Sequence, residues 1–320
     1  MIIESTAYPI EIDFPDILPY KVGNTGVDWI TTFDSGTAGP HVMISALVHG
    51  NEPCGAVALD WLFKQEVRPV RGKLSFAFIN VAAYNSFDRN DPTASRYLDQ
   101  DFNRVWQNCS LNGPEVTREL ERAREVRPVV DTVDYLLDLH SMQHKNPPLM
   151  LAGDQEKGRA LAKQVADPEW IICDSGHEEG KRLRDYDGFG DAMSPKAALL
   201  LEAGQHWEAA AGPRAIAASI RFLRATECVP ADFGEAFLAE QPPLVPQKTI
   251  EIVAPVTVQH KNFRFNDDYL GMEVIAEKGT VIATDGKTPV ATPHDNCVLI
   301  MPSRRLLVGK TAVRLGKLLD

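Results

Sequence analysis

Two residues of metal-binding type lie three positions apart in the segment LVHGNEP. His49 and Glu52 form an H-x-x-E pair where an apolar run gives way to helical spacing. An imidazole nitrogen and a carboxylate oxygen are donors that zinc prefers, and a catalytic zinc site needs three such ligands and one position for water. The pair alone is weak evidence, because such pairs are common on protein surfaces and its neighbours are also typical of a helix start.

Two further candidates end other apolar runs of the chain. His140 ends VDYLLDLH, and Glu202 follows the apolar residues of LLLEAG. Ligands of open α/β sheets bind beyond the carboxyl ends of strands, where these side chains would meet. We expect His49, Glu52 and His140 to bind one metal ion. Asp138 precedes His140 by two residues and is expected to orient its imidazole.

Because Glu202 is not needed as a metal ligand, it is free to act as a general base and acid. A metal ion lowers the pKa of bound water to about 7 and polarises a carbonyl group. Glu202 would accept the proton of that water and pass it to a leaving amine. Considered alone, His140 could be a strand-end histidine that hydrogen-bonds to the backbone, and Glu202 could be a carboxylate that caps the next turn. The four residues together favour amide hydrolysis without a covalent intermediate.

A second polar block, SRYLDQDFNR, contains Arg96, Asn103 and Arg104. One interpretation is a solvated loop in which the arginines pair with Asp99 and Asp101. Beside a metal site, an arginine fork is suited to bind a substrate carboxylate, and another arginine can stabilise an oxyanion. The second interpretation predicts a locally basic pocket in an acidic protein.

The elements that must position these residues alternate between strand and helix. Strands are predicted at HVMISALVH, KLSFAFIN, VDYLLDLH and KAALLLEAG, and helices at PCGAVALDWLFKQ, GPEVTRELERAREV, KGRALAKQVA and from Ala209 to Leu223. The helix at GPEVTRELERAREV is predicted to be a charged surface helix. This order predicts an α/β domain with a largely parallel sheet. From Thr249 onward, short strands broken by turn residues predict a small all-β domain, so we divide the chain at 1–240 and 241–320.

Composition excludes several classes of protein. The 320 residues are 44% hydrophobic and carry a formal net charge of -11, which is typical of a soluble folded protein and argues against nucleic-acid or membrane surfaces. The amino terminus lacks signal-peptide features and the five cysteines lack a C-x-x-C pair, which favours a cytoplasmic protein with reduced thiols. Serine hydrolase and nucleotide-binding motifs are absent. The remaining histidines are interpreted as a pocket residue (His206), pocket rim or surface (His144), part of a solvated loop (His177) and surface (His41, His260, His294).

The sequence resembles the aspartoacylase and succinylglutamate desuccinylase family of the zinc carboxypeptidase-like superfamily. The resemblance depends on four motifs in order: H-G-N-E-P at 49–53, R-Y-L-D-Q-D-F-N-R at 96–104, D-L-H at 138–140 and E-A-G at 202–204. It implies a carboxypeptidase-like domain with a mixed, mainly parallel sheet flanked by helices, and a carboxy-terminal β domain that narrows the pocket entrance.

The resemblance also implies a role for each candidate residue. His49, Glu52 and His140 would bind one Zn²⁺ per chain, and Glu202 would be the general base. Arg96 would polarise the scissile carbonyl. The carboxylate of a small N-acylated amino acid would be bound by two residues, Asn103 and Arg104.

The sequence departs from aspartoacylase in its substrate pocket. The segment before Glu202 offers Arg182, Arg184, Tyr186 and Lys196 without an alignable counterpart to the family's further arginine, and CVLIMPSRR lacks the expected tyrosine. The hypothesis is a zinc-dependent amidohydrolase acting on a small N-acylated amino acid or related amine. Two alternatives stay open: a metallo-carboxypeptidase acting on short peptides, and a non-catalytic binding protein that retains the metal. A homo-oligomer is compatible with either.

Overall fold

The computed structural model describes residues 8–177 and 179–319, and strands and helices alternate through the first two thirds of the chain. The strands are β1 (Ile30–Asp34), β2 (His41–Ala46), β3 (Lys73–Phe78), β4 (Tyr135–Met142), β5 (Leu149–Leu151), β6 (Trp170–Cys173), β7 (Ala197–Gln205), β8 (Lys248–Thr257), β9 (Arg264–Phe265), β10 (Val274–Ile275), β11 (Val281–Asp285), β12 (Thr288–Ala291), β13 (Cys297–Ile300) and β14 (Thr311–Leu318). The α-helices are α1 (Cys54–Lys64), α2 (Val81–Asn85), α3 (Asn108–Leu111), α4 (Arg118–Val130), α5 (Glu156–Val165), α6 (Ala211–Ala225) and α7 (Glu235–Ala239).

A large mixed sheet is the centre of the fold. In the described part of the chain, its strands follow the order β1-β3-β2-β4-β7-β5-β6-β8-β14-β13-β10. Strands β3, β2, β4 and β7 are parallel to one another, whereas β1 and β5 run antiparallel to β3 and β7. Helices α1 and α6 pack on one face, and α4 packs on the other. The predicted α/β fold class, a mixed sheet flanked by helices, is confirmed.

The two faces of β4 differ in what they contact, because successive side chains of a strand point to opposite faces. Leu137 and Leu139 pack in the core formed with α1 and α6. Leu136 packs in the core on the opposite face, which includes residues of α4. His140 shares the face of Leu136 by this alternation. The candidate site therefore lies on the sheet face away from α1 and α6.

The strands predicted after Thr249 are present, and several of them extend the large sheet. Strand β8 pairs with β6 in parallel, and β14 pairs with β8 and β13 in antiparallel fashion. Strands β12, β11 and β9 form a separate three-stranded sheet. Its core includes Ile282, Leu299 and Val313. The division into domains at 1–240 and 241–320 stays a prediction.

The structure bears on three features of the sequence: membrane-spanning segments, the amino terminus and the cysteines. Within the described residues, every helix is too short or too polar to cross a lipid bilayer. The first seven residues of the amino-terminal segment lie outside the described residues. All five cysteines are unpaired, and only Cys109 is exposed, so the interpretation as mostly core thiols agrees with the structure.

Candidate metal centre and active site

Three side chains that the sequence assigned to the metal meet in a buried group. One ligand atom from each of His49, Glu52 and His140 lies within 4.8 Å of the others. Glu52 lies between the imidazoles, with Oε1 2.8 Å from Nδ1 of His49 and Oε2 2.9 Å from Nδ1 of His140. All three residues are buried. Residues almost ninety positions apart in the chain thus form one compact donor set.

The turn between β2 and α1 positions His49 and Glu52 by lying against neighbouring backbone. The amide of Gly50 donates a hydrogen bond to the carbonyl oxygen of Arg96 at 3.1 Å. A Cβ atom at Gly50 would lie 2.3 Å from the carbonyl carbon of Ala83, which is closer than atoms can approach. Only glycine fits between these segments, so the HGNEP motif includes a residue required by packing.

Each imidazole is also held from its other side by a carboxylate. Nε2 of His140 is 2.8 Å from Oδ2 of Asp138, and Nε2 of His49 is 3.0 Å from Oδ1 of Asp101. The Ser45 hydroxyl donates to Oδ1 of Asp138 at 2.7 Å. Such contacts fix the orientation of metal-binding imidazoles. Asp138 makes the contact that its position in the strand predicts, whereas the sequence indicated Asp101 only as a partner of an arginine.

The electrostatics of the group fit a bound cation. Burial opposes the charge of Glu52, but the two imidazoles outweigh it and hold the pKa of Glu52 well below its usual range. Burial likewise opposes protonation of His140, but Asp138 and Glu52 raise the pKa of His140 well above its usual range. Buried carboxylates thus require positive charge here, and a divalent cation would supply it. Two imidazoles and one carboxylate are a donor set suited to zinc.

Glu202 lies beside the donor set without belonging to it. Its Cα atom is paired with that of His140 across β7 and β4. The residue is 8% exposed, and its Oε2 atom is buried with no hydrogen-bond partner among the described residues. Burial, reinforced by the charge of Glu52, raises the pKa of Glu202 to about 8. A carboxyl group with these properties is suited to accept and release protons.

Arg96 borders the same group. Its Nη1 donates to Oε1 of Glu52 at 3.4 Å, and its Nη2 donates to Oδ2 of Asp101 at 3.2 Å. The side chain is 36% exposed, so the guanidinium lies between the buried carboxylates and open space. A cation in this position is placed to polarise a carbonyl group that approaches the donor set.

A buried carboxylate holds the loop that follows Arg96. Glu119 of α4 accepts hydrogen bonds from the backbone amides of Leu98 at 2.7 Å, Asp99 at 3.1 Å and Gln100 at 3.3 Å. Its side chain is completely buried. The prediction of a charged surface helix is therefore wrong for this residue. The charge is tolerated in the interior because backbone donors surround it.

Asn103 and Arg104 lie in the short 3-10 helix Phe102–Arg104. Oδ1 of Asn103 accepts a hydrogen bond from the amide of Leu183 at 2.9 Å, and Nη1 of Arg104 donates to the carbonyl oxygen of Asn103 at 2.7 Å. Nε of Arg104 is buried without a hydrogen-bond partner in the described part of the chain, and its ion pair with Oε2 of Glu179 is long, at 3.9 Å. Arg104 therefore keeps donors that can bind a carboxylate.

Residues 38–179 match the model of the succinylglutamate desuccinylase/aspartoacylase catalytic domain. The resemblance to this family is confirmed. The matched segment contains the three predicted metal ligands and the block from Arg96 to Arg104, whereas Glu202 lies beyond it.

Solved structures share the fold over most of the chain, and two of the three described below carry the name of this family. Succinylglutamate desuccinylase from Vibrio cholerae is 16% identical with a TM-score of 0.63, covering 91% of this chain and 86% of that one. The succinylglutamate desuccinylase/aspartoacylase from Rhodobacter sphaeroides is 14% identical with a TM-score of 0.65, covering 91% and 89%. The product-bound ectoine utilization protein EutE from Ruegeria pomeroyi is 17% identical with a TM-score of 0.58, covering 92% of each chain. No curated protein matched the sequence.

Two arginines in the segment where this sequence departs from the family bind acceptors inside the protein. Arg182 donates to Asp174 at 2.7 and 2.9 Å and to Asp185 at 2.6 Å. Arg184 donates to Asp185 at 2.6 Å and to two backbone carbonyl groups. Both side chains are buried. Arg184 holds the segment against β7 and the residue that follows β5, and Arg182 holds it against Asp174, which follows β6, so both have a structural role.

Among the histidines outside the donor set, the predicted burial is correct for some and wrong for others. His206 is buried, as expected of a pocket residue, and its Nδ1 lies 2.8 Å from the Ser141 hydroxyl. The expectation that His41 lies on the surface is wrong, because it is buried and its Nε2 lies 2.7 Å from the hydroxyl of Ser75. Burial, with the charge of Arg104, lowers the pKa of His177 to about 4. His177 itself is partly exposed and lies outside the helices and strands, which agrees with its interpretation as a loop residue.

Proposed function

We propose that this protein is a zinc-dependent amidohydrolase that removes the acyl group from a small N-acylated amino acid or related amine. The observation that carries the proposal is the buried set of His49, Glu52 and His140 with Glu202 beside it. The family match supports the same reaction class, hydrolysis of a linear amide bond. The solved relatives are named for desuccinylation and aspartoacylase activity, which points to acylated amino acids.

The donor set would hold the metal, and Asp138 and Asp101 would fix its imidazoles. Zinc bound there would supply Lewis acidity and a water of lowered pKa. Glu202, whose Oε2 has no partner inside the protein, would serve as the proton acceptor beside the donor set and would deliver a proton to the amine nitrogen as the amide bond breaks. Its raised pKa suits both halves of this transfer.

The arginine block acts on the substrate. Arg96 orients and polarises the amide carbonyl, because it lies against Glu52 at the border of the buried group. Arg104 binds the carboxylate through donors that are not used inside the protein. Asn103 supports that contact by holding the 3-10 turn against Leu183.

We also propose that residues 241–320 form a smaller β domain that borders the entrance to the site. Met272, Val298 and Ile300 of this region pack with Leu200, two residues before Glu202 on the same face of β7. A surface in that place would restrict access to small substrates.

Metal analysis combined with a substrate panel tests the proposal. The purified protein should contain about one zinc per chain and should hydrolyse at least one of the N-formyl, N-acetyl or N-succinyl amino acids. Faster hydrolysis of unblocked dipeptides would instead support a metallo-carboxypeptidase. Stoichiometric zinc without any turnover would support a binding protein and would contradict the proposal.

A further inference from the structure

A cleft of about 570 Å³ lies between the amino-terminal segment and α2 with the loop that follows it. Cavities that bind small molecules measure about 300–1,000 Å³, so the cleft has room for a small organic ligand. Its lining includes four aromatic side chains and two cations: Phe14, Trp29, Tyr84, Phe87, Lys21 and Arg89. This combination of rings and positive charge is the feature that the following observations develop.

The cleft is separate from the candidate active site. Tyr84 belongs to the core that α1 and α6 form on one face of the sheet, and Phe14 and Phe87 pack against that core. The candidate active site lies on the other face. A Cβ atom at Gly50 would lie 2.4 Å from the amide nitrogen of Tyr84, so the backbone of α2 lies against the metal-binding turn. The side chain of Tyr84, by contrast, lines the cleft.

The aromatic side chains of the cleft are held in place by one another. The ring centroids of Phe14 and Phe87 are 4.0 Å apart, and those of Phe14 and Tyr84 are 5.7 Å apart, in stacked arrangements. The Tyr84 hydroxyl donates a hydrogen bond to the carbonyl oxygen of Pro15 at 2.9 Å. Phe14, Trp29 and Phe87 keep part of their surface exposed. The cleft therefore offers aromatic surface on which a planar ring can stack.

The cations of the cleft have no partner inside the protein. The side chains of Lys21 and Arg89 are exposed and make no hydrogen bond or ion pair with any residue that the structure describes. The lining contains one carboxylate, Asp16, whose Oδ1 accepts a hydrogen bond from the amide of Leu18 at 2.9 Å. Two positive charges thus stand against one negative charge, in a chain with a formal net charge of -11. This local excess favours a ligand with an anionic group.

We propose that this cleft is a second ligand site, which binds a small planar aromatic anion. The ring of the ligand stacks on the aromatic wall, and its anionic group faces Lys21 and Arg89. That group is a carboxylate or a phosphate, because both present oxygen acceptors to an ammonium and a guanidinium. The inference does not rest on the proposed function, since the cleft lies apart from the donor set.

Two matched pairs of compounds test the site by calorimetry on the purified protein. Indoleacetate and indoleacetamide differ in a carboxylate charge, and adenosine monophosphate and adenosine differ in a phosphate. One charged compound should bind saturably and at least about 3-fold more tightly than its neutral counterpart, because each exposed ion pair contributes up to a few-fold to affinity. The pair that shows this difference identifies the anionic group. Absence of saturable binding by all four compounds would overturn the site.

Variants then assign the binding to the cleft. The double variant Lys21→Gln, Arg89→Gln changes two exposed side chains, so it should fold like wild type. Its preference for the charged compound should fall to within about 2-fold. Lys317→Gln removes an exposed cation of β14 and is the matched control, with binding expected to equal that of wild type. An undiminished preference in the double variant would overturn the assignment of the two cations.

Two further substitutions separate stacking from charge and the cleft from the active site. Phe87→Leu removes a ring but no charge, so it should weaken binding of both members of the pair by about 2–10-fold. Arg104→Met removes the cation proposed for the substrate carboxylate and should leave binding of the aromatic anion within about 2-fold of wild type. Loss of binding in Arg104→Met with unchanged binding in Phe87→Leu would place the compound at the candidate active site and would overturn the proposal. Neither measurement requires turnover, so failure of the hydrolase proposal would not affect it.

Discussion

The metal side and the substrate side of the candidate site differ in how completely their polar atoms are satisfied. Both ring nitrogens of His49 and of His140 have a carboxylate within 3.0 Å. By contrast, Nε of Arg104 and Oε2 of Glu202 are buried without hydrogen-bond partners in the described residues. The donor set is thus assembled by the fold, whereas the proposed substrate side keeps polar atoms that a bound substrate could satisfy.

This difference has an energetic meaning. A buried polar atom without a partner costs about 1–3 kcal/mol, and such costs persist where function requires them. A bound substrate that supplies an acceptor to Arg104 and a proton to Glu202 would recover part of that free energy. Substitutions on the two sides should therefore have different signatures. Those on the metal side should change metal affinity, and those on the substrate side should change turnover with the metal retained.

The largest effect is expected for Glu202→Gln. The variant keeps the shape of the side chain and all three metal ligands but removes the proton acceptor. We expect kcat to fall by about 10²–10⁴-fold, the usual contribution of a general base, with zinc content unchanged by elemental analysis. Glu251→Gln, an exposed position on β8, is the matched control. Turnover within about 3-fold of wild type would remove the general-base assignment.

Arg104→Met should follow, with a loss that depends on the substrate. Because its free donors would bind a carboxylate, kcat/KM for a carboxylate-bearing substrate should fall by about 100-fold, corresponding to about 3 kcal/mol. The corresponding primary amide should lose much less. Zinc content should again match wild type. The carboxylate-binding role would be refuted by similar losses on the acid and the amide.

Asp138→Asn tests the metal side. The carboxylate contacts Nε2 of His140 at 2.8 Å and accepts a hydrogen bond from Ser45, so the substitution should disturb the orientation of the imidazole. Zinc affinity should fall by about 10–100-fold, as measured by competition with a chelator. Asp101→Asn should have a similar effect through His49. Unchanged zinc affinity in both variants would show that these carboxylates do not support the donor set.

The sequence predicted those residues of the candidate site whose positions are determined by the local pattern of a strand and by the geometry of the sheet. His140 and Glu202 end apolar runs, so their convergence followed from the carboxyl ends of parallel strands. Asp138 followed from the two-residue period of a strand. The family motifs then supplied Arg96 and Arg104. The positions of these residues depend little on how distant segments of the chain pack together.

Residues whose role depends on packing between distant segments were missed. Asp101 contacts His49 only because its loop folds back over the donor set. His41 was assigned to the surface because its burial depends on contacts with β3 and with Thr132. No periodicity within a single segment indicates such contacts.

The smallest predicted effect concerns Glu119, the clearest case of a missed residue. Glu119→Gln places an amide group against backbone donors of Leu98, Asp99 and Gln100, so at least one donor loses its acceptor. We expect the free energy of unfolding to fall by about 1–3 kcal/mol, measured by denaturant titration. Turnover should also fall, because the loop after Arg96 loosens. Glu121→Gln is exposed on the same helix and should stay within about 0.5 kcal/mol of wild type. If both variants match wild type in stability and rate, the loop is held by other contacts, and the ordered position of Arg96 does not depend on this carboxylate.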